Sequence, residues 1–167
     1  RGGVPLIEIV SEPDMSNIGE AISYVTYLKE LVKRIGVSNC KMEQGQLRCD
    51  VNVSIKPAGS NVLGTKVEMK NINSFKAIER AINYEINRQL KMVENGEKIV
   101  AETRRWDDSV QESFPMRSKE GAKDYRFMPE PDIPTTILTD SYIKSLKEEL
   151  PLLPRQVRAK LIDEYGL

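Results

Sequence analysis

Between residues 46 and 56 the sequence QLRCDVNVSIK alternates without a break. Leu47, Cys49, Val51, Val53 and Ile55 are apolar, and Arg48, Asp50, Asn52, Ser54 and Lys56 between them are polar. Successive side chains of a strand point to opposite faces, so this pattern predicts a strand over about 45–57, apolar on one side and polar on the other. A second alternation over 64–71 follows PAGSNVLG, whose Pro, Gly, Ser and Asn predict a hairpin loop. An earlier β-branched run, VPLIEIVS at 4–11, predicts a short strand in which Glu8 shares a face with Leu6 and Val10.

Helical periods separate and follow these strands. Ile18, Ile22, Val25, Leu28, Val32 and Ile35 recur at helical spacing, with Ser16 or Asn17 as the cap, Glu20 three residues after Asn17, and Gly36 as the stop. Phe75, Ile78, Ile82, Ile86, Leu90 and Val93 mark a second helix closed by Asn95 and Gly96. The predicted order is strand, helix, two hairpin strands, helix, an α+β arrangement whose helices cover the sheet face of Val51, Val53, Val67 and Met69.

Beyond Gly96, IVAETRRWDDS predicts one further strand, with Trp106 as a core or packing anchor. The following SFPMRSKEGAKDYRFMPEPDIPTT has turn residues and little periodicity, although Phe114, Met116, Tyr125, Phe127 and Met128 argue for order. From Ser141 the pattern is helical again, in YIKSLKEEL and PRQVRAKLIDEYG, split by PLLP. Residues 1–138 are therefore expected to form one domain, and 139–167 the first helices of another.

Composition narrows the chemistry. With 40% hydrophobic and 30% charged residues and no apolar run long enough to span a bilayer, the chain reads as a globular, cytoplasmic protein rather than a membrane protein. Its 25 Lys and Arg balance 25 Asp and Glu, so any RNA partner must be held by a local patch or by a further domain. Cys40 and Cys49 lack a CxxC spacing and read as reduced structural thiols. No histidine is present, which excludes a Ser/His or Cys/His nucleophile pair within these residues. The chain opens without Met, almost directly on a strand, and is expected to be an internal piece of a longer protein.

The uncovered sheet face carries Arg48, Asp50, Asn52, Glu68 and Lys70, with Glu8 as a further candidate. Two readings stand side by side. Asp50 and Glu68 are hard oxygen donors of the kind that hold Mg²⁺ beside substrate phosphates, and Arg48 and Lys70 suit phosphate oxygens. Against this, a one-sided antiparallel sheet normally faces water with such a mixture and pairs the charges across strands, which alternation alone favours.

RGGVPLIEIVSEPD, LRCDVNVSIKP, VEMKNINSF, ETRRWDD and MRSKEGAKDYRFMPEPD, in this order, resemble the B subunits of the tRNA-dependent amidotransferases over nearly the whole chain. Met128 departs from the pattern, standing where the family is expected to have an aromatic residue. The resemblance implies one β-α-β-β-α repeat of a cradle similar in fold to glutamine synthetase and the guanidino kinases, followed by the start of a helical domain. It also implies a ligase of carbon and nitrogen. ATP with Mg²⁺ phosphorylates the side-chain carboxylate of Glu-tRNA(Gln) or Asp-tRNA(Asn), and ammonia from glutamine then displaces the phosphate. The implied partners are the glutaminase A subunit, the small C subunit and misacylated tRNA, in a heterotrimer; the isolated fragment is expected to be inactive.

Carried over by position, the resemblance makes Glu8, Asp50 and Glu68 metal ligands. Arg48 and Lys70 become the catalytic contacts to phosphate or substrate carboxylate, and with Asn52 and Asn71 they make the nucleotide-binding set. Asp124, Tyr125, Arg126, Glu130 and Asp132 belong to a signature near the site without individual roles. The alternative to catalysis is a scaffold that docks tRNA and the partner subunit.

Overall fold

Helix α1, Ile18–Arg34, begins where the sequence says it should. Asn17 is extended, and its side-chain oxygen accepts from the Glu20 amide at 2.9 Å. The Glu20 carboxylate returns to the Ser16 amide at 2.7 Å, so two otherwise orphaned donors are satisfied reciprocally. That backbone bond from Ser16 holds the Glu20 carboxyl below its ordinary range. The helix stops at Ile35 because Gly36 takes φ 74, letting the Val37 amide fold back on the Val32 carbonyl. This computed structural model describes residues 5–118 and 131–167.

Strands β1 (Cys49–Val53) and β2 (Val67–Ile72) form the expected antiparallel hairpin, after a 3₁₀ turn at Met42–Gln44. Helix α2, Phe75–Glu94, is capped by the Ser74 hydroxyl and carries the chain back over the sheet, so that β3 (Glu102–Asp107) lies parallel to β2. Parallel neighbours need such a helical crossover, and the crossover places α2 on one face. Strand β4, Glu112–Ser118, closes the order β1-β2-β3-β4. The core lies between α2 and the inner face, in Val53, Val67, Met69, Ile72, Ala77, Ile78, Ala81, Ile82 and Trp106, with Ile18, Ala21, Ile22 and Val25 of α1 packed at its side. Each of the large apolar side chains fully removed from water here contributes on the order of 1.5–3 kcal/mol.

The fold class is α+β, with a mixed four-stranded sheet and four helices. Three expectations need correction. Residues 5–10 have no regular structure, and Leu6, Ile7 and Val10 are exposed; a strand is held by ladder bonds, and no described strand pairs with this segment. Within 5–118, the expected strand, helix, two strands, helix therefore appears as α1, β1, β2, α2, then β3 and β4.

The second correction is β4 itself, hidden by Pro115 in a stretch expected to be irregular. Pro115 lacks an amide hydrogen and is accommodated at the sheet edge, opposite Arg104 and next to a register shift.

The third concerns α2, whose second half buries Glu85 and Gln89 while Leu90 and Val93 are exposed. Gln89 donates to the Val53 carbonyl at 3.1 Å and accepts from the Ile55 amide at 3.2 Å, satisfying the end of β1 where the ladder stops. Glu85 takes a bidentate pair from Arg88 at 2.8 and 2.9 Å and a third donor from Gln89. Arg104 extends the network through Glu102 at 2.8 Å and through Ser113 of β4 at 2.7 Å. The helix meets polar strand ends here, so its buried stripe turns polar.

Helices α3 (Asp140–Glu149) and α4 (Pro154–Tyr165) match the predicted helical runs, α4 with Pro at its first turn and Gly166 at φ 65 as its stop. Helix α4 rests on α1: Arg34 donates to the Leu152 carbonyl at 2.9 Å, and the Arg155 guanidinium lies 4.6 Å from the Tyr27 ring centre. Among the described residues no helix is long and apolar enough to cross a membrane. Both cysteines are free thiols, as expected.

Candidate active-site face

The inner parity of the sheet is fixed by Val51, Val53, Val67, Met69 and Trp106, which leaves Asp50, Asn52, Glu68, Lys70, Thr103, Arg105 and Asp107 on the opposite face. Pairing then decides neighbours. Asn52 lies opposite Glu68, Glu68 opposite Thr103, and Lys70 opposite Arg105.

Between the pairs Cys49↔Ile72 and Val51↔Met69, β1 supplies only Asp50 while β2 supplies Lys70 and Asn71. The extra residue is a bulge, and Asn71 absorbs it at φ 65, a left-handed conformation asparagine tolerates better than most residues. Its amide donates to the Trp106 carbonyl at 2.9 Å, tying the bulge to β3, and Ile72 is returned to the core.

Opposite the bulge, the Lys70 ammonium donates to Asp50 Oδ2 at 2.7 Å and lies 3.3 Å from Glu68 Oε1. Glu68 Oε2 accepts from the Thr103 hydroxyl at 2.9 Å. The bond to Asp50 holds the Lys70 ammonium above the ordinary lysine range, against the opposing effect of burial. Arg105 adds a half-exposed cation one strand over, 3.8 Å from Asp107 Oδ2. Bonds from the Ser109 hydroxyl and amide, more than Arg105, lower the Asp107 carboxyl. Cys49 points to the apolar side, where burial pushes its thiol up to about 11, so it is no nucleophile at neutral pH.

The structure thus brings together Asp50, Asn52, Glu68 and Lys70. Arg48 is exposed, one residue before β1. Glu8 lies in the exposed segment without regular structure, and among the described residues no group of three or more His, Cys, Asp or Glu side chains is placed to hold a metal. Asn71 is engaged with the backbone of β3. Asp132 is exposed in a turn, while Asp124, Tyr125, Arg126, Glu130 and Met128 lie outside the described residues. Thr103 and Arg105 were missed. Their signal was present: a buried Trp106 fixes Arg104 and Glu102 on its own face and sends Thr103 and Arg105 to the other.

What the face can do follows from its donor set. Two carboxylates share one ammonium, and Lys70 and Arg105 stand in register on neighbouring strands. Hard oxygens and cations so interleaved suit an anionic substrate and a divalent cation together.

Residues 1–144 match the family described as the GatB/GatE catalytic domain. All 167 residues align at 53% identity with the B subunit of the aspartyl/glutamyl-tRNA(Asn/Gln) amidotransferase of Thermoanaerobacter sp. (strain X514). Identity is 55% with the same-named protein of Brachyspira hyodysenteriae (strain ATCC 49526 / WA1) and 51% with the B subunit numbered 1 of Clostridium acetobutylicum. Each alignment takes in 100% of this chain and 35% of the relative, so the chain spans about a third of the length of these relatives.

Proposed function

Since the chain belongs to the GatB/GatE catalytic domain family, we propose that the open face of its sheet is one wall of an ATP- and Mg²⁺-dependent phosphoryl-transfer site. The substrate is the side-chain carboxylate of Glu-tRNA(Gln) or Asp-tRNA(Asn). One carboxylate oxygen takes the γ-phosphoryl group of ATP, ADP leaves, and ammonia then attacks the acyl carbon and expels phosphate, leaving the amide. Ammonia comes from glutamine hydrolysed by an A subunit, in a cytoplasmic heterotrimer with a small C subunit. The observation that carries this reading is the Lys70 ammonium set between the Asp50 and Glu68 carboxylates on the sheet face turned away from α2.

Asp50 Oδ2 and Glu68 Oε1 converge on one point, now taken by the Lys70 ammonium, and these are the donors of a hard divalent ion that keeps waters and takes further oxygens from substrate phosphates, provided Lys70 turns away from that point toward phosphate. Asp50 and Glu68 would hold it, and bound there it would neutralise phosphate charge during transfer. Glu8 would join them only on pairing of its segment as a strand.

The remaining work is positioning and charge. Lys70, turned from Asp50 and opposite Arg105, would offer phosphate or substrate carboxylate a point charge, and Arg48, exposed just before β1, a planar fork. Asn52, opposite Glu68, is the orienting amide. Asn71 serves by holding the bulge that places Lys70 against Asp50. We assign this arrangement to one repeat of a glutamine synthetase-like cradle, with α3 and α4 opening a helical domain.

The test is the intact heterotrimer carrying Asp50→Asn or Glu68→Gln, assayed on both misacylated tRNAs with ATP and glutamine. Amide formation should fall by about 100-fold or more, the scale of removing one electrostatic stabiliser. Binding of tRNA and assembly with the glutaminase should persist. Undiminished tRNA-dependent amide formation would overturn the reading and leave a docking role.

A further inference from the structure

The two carboxylates of the open face are held very differently. Parallel pairing sets Thr103 of β3 beside Glu68 of β2, and the Thr103 hydroxyl donates to Glu68 Oε2 at 2.9 Å. With that oxygen engaged, Oε1 is the one turned toward the Lys70 ammonium, 3.3 Å away. The Glu68 side chain is 18% exposed and Thr103 only 1%, so this bond is made where water competes little. Asp50 has no such anchor: among the described residues its hydrogen-bond partner is Lys70.

Thr103 is itself fixed from both directions. A β-branched side chain has few χ1 choices on a strand, which aims its hydroxyl. Next in sequence and on the other face, Arg104 donates to the Ser113 hydroxyl and carbonyl at 2.7 Å each and to Glu102 at 2.8 Å, clamping β3 to β4. The β3–β4 register shifts between Thr103 and Arg104, and such a shift re-aims the side chain beside it.

We propose that Thr103 is a positioning residue of the cation site, an inference that rests on the Mg²⁺-dependent reading above. Its hydroxyl holds the Glu68 carboxylate so that Oε1 is aimed at the point where Lys70 now sits. When Lys70 turns toward phosphate, Asp50 gives up its partner and can close on the ion, while Glu68 keeps its orientation. The site thus has one preset oxygen and one that follows. Removing a donor that orients a ligating carboxylate costs about 10–100-fold in ion affinity.

The experiment titrates the intact heterotrimer with Mn²⁺, a paramagnetic substitute for Mg²⁺, beside a non-hydrolysable ATP analogue, and reads bound Mn²⁺ by electron paramagnetic resonance. Thr103→Val keeps the shape and removes the hydroxyl, and should weaken the site by about 10–100-fold. The Mg²⁺ concentration for half-maximal amide formation should rise to match, with most of the rate recovered at saturating Mg²⁺. Thr103→Ser, which keeps the hydroxyl, should return the affinity toward that of the parent. Should Thr103→Val fail to assemble, Thr103→Ala is read in its place. A lower urea midpoint with unchanged Mn²⁺ affinity would make Thr103 merely structural and overturn the inference, as would a serine variant as weak as the valine one. Glu68→Gln separates the two levels. Mn²⁺ binding that survives Glu68→Gln overturns the metal reading itself, whereas binding lost there but kept in Thr103→Val overturns the role of Thr103 alone.

Discussion

Lys70 donates to Asp50 across the β1–β2 hairpin at 2.7 Å, at the one position where β2 carries an extra residue. A bulge is local strain that regular pairing would avoid, and here it sets a lysine between two carboxylates and fixes the geometry of the open face. The pair is half-exposed, 34% for Lys70 and 46% for Asp50, so solvent screens most of its attraction. Lys70→Met should therefore change folding stability by less than about 1 kcal/mol. In the intact enzyme it should lower amide formation by about 100-fold or more. Chemical denaturation beside the amidation assay separates the two, and an equal loss in both would mark Lys70 as structural.

Gln89 stands at the opposite extreme. It is wholly buried, and its amide serves both the Val53 carbonyl and the Ile55 amide. Gln89→Leu keeps the volume but leaves two backbone groups without partners, and should cost about 1–3 kcal/mol. The urea midpoint would fall with the slope unchanged, and faster hydrogen exchange at Ile55 would locate the loss.

Gly64 tests the hairpin loop by sterics alone. A Cβ at this position would lie 2.0 Å from the Ile55 carbonyl oxygen, a backbone atom that no rotamer change can move. Gly64→Ala should destabilise by about 1–3 kcal/mol, the usual cost of forced overpacking. A thermal midpoint equal to that of the parent would show that the loop does not approach β1 so closely.

Trp106 is the single tryptophan and reports its own surroundings. Its indole donates to Asp108 at 3.0 Å, and Arg80 of α2 forks onto the same carboxylate at 2.7 and 2.8 Å. The bond from Arg80, then that from Trp106, lowers the Asp108 carboxyl below its ordinary value of 3.8. A depressed folded value means this stabilisation is present above pH 3.8 and is lost as pH falls through the folded value. Trp106 fluorescence should hold steady down to about pH 4 and shift below it. Asp108→Asn should remove that shift.

Much of this was legible in the chain because it is local. The Asn17 and Glu20 cap, the Gly36 stop, the Asn95 and Gly96 end of α2 and the alternation of β1 and β2 each need only a few consecutive residues to be specified. Asp50, Asn52, Glu68 and Lys70 could be assigned to one face for the same reason. The strand expected at 4–11 failed because alternation states only which faces a strand would have, and not whether a partner is present to hold it.

The sequence by itself determined the helices, their ends and the polar parity of the hairpin, since these depend on backbone bonding within a few residues. Only the tertiary structure decided that β3 enters parallel beside β2 and brings Thr103 and Arg105 to the face. It alone turned the buried stripe of α2 polar at Glu85 and Gln89, because the partners of those groups are strand ends and arginines remote in sequence. The open polar face is thus written locally, but its neighbours are chosen by register, which no single segment contains.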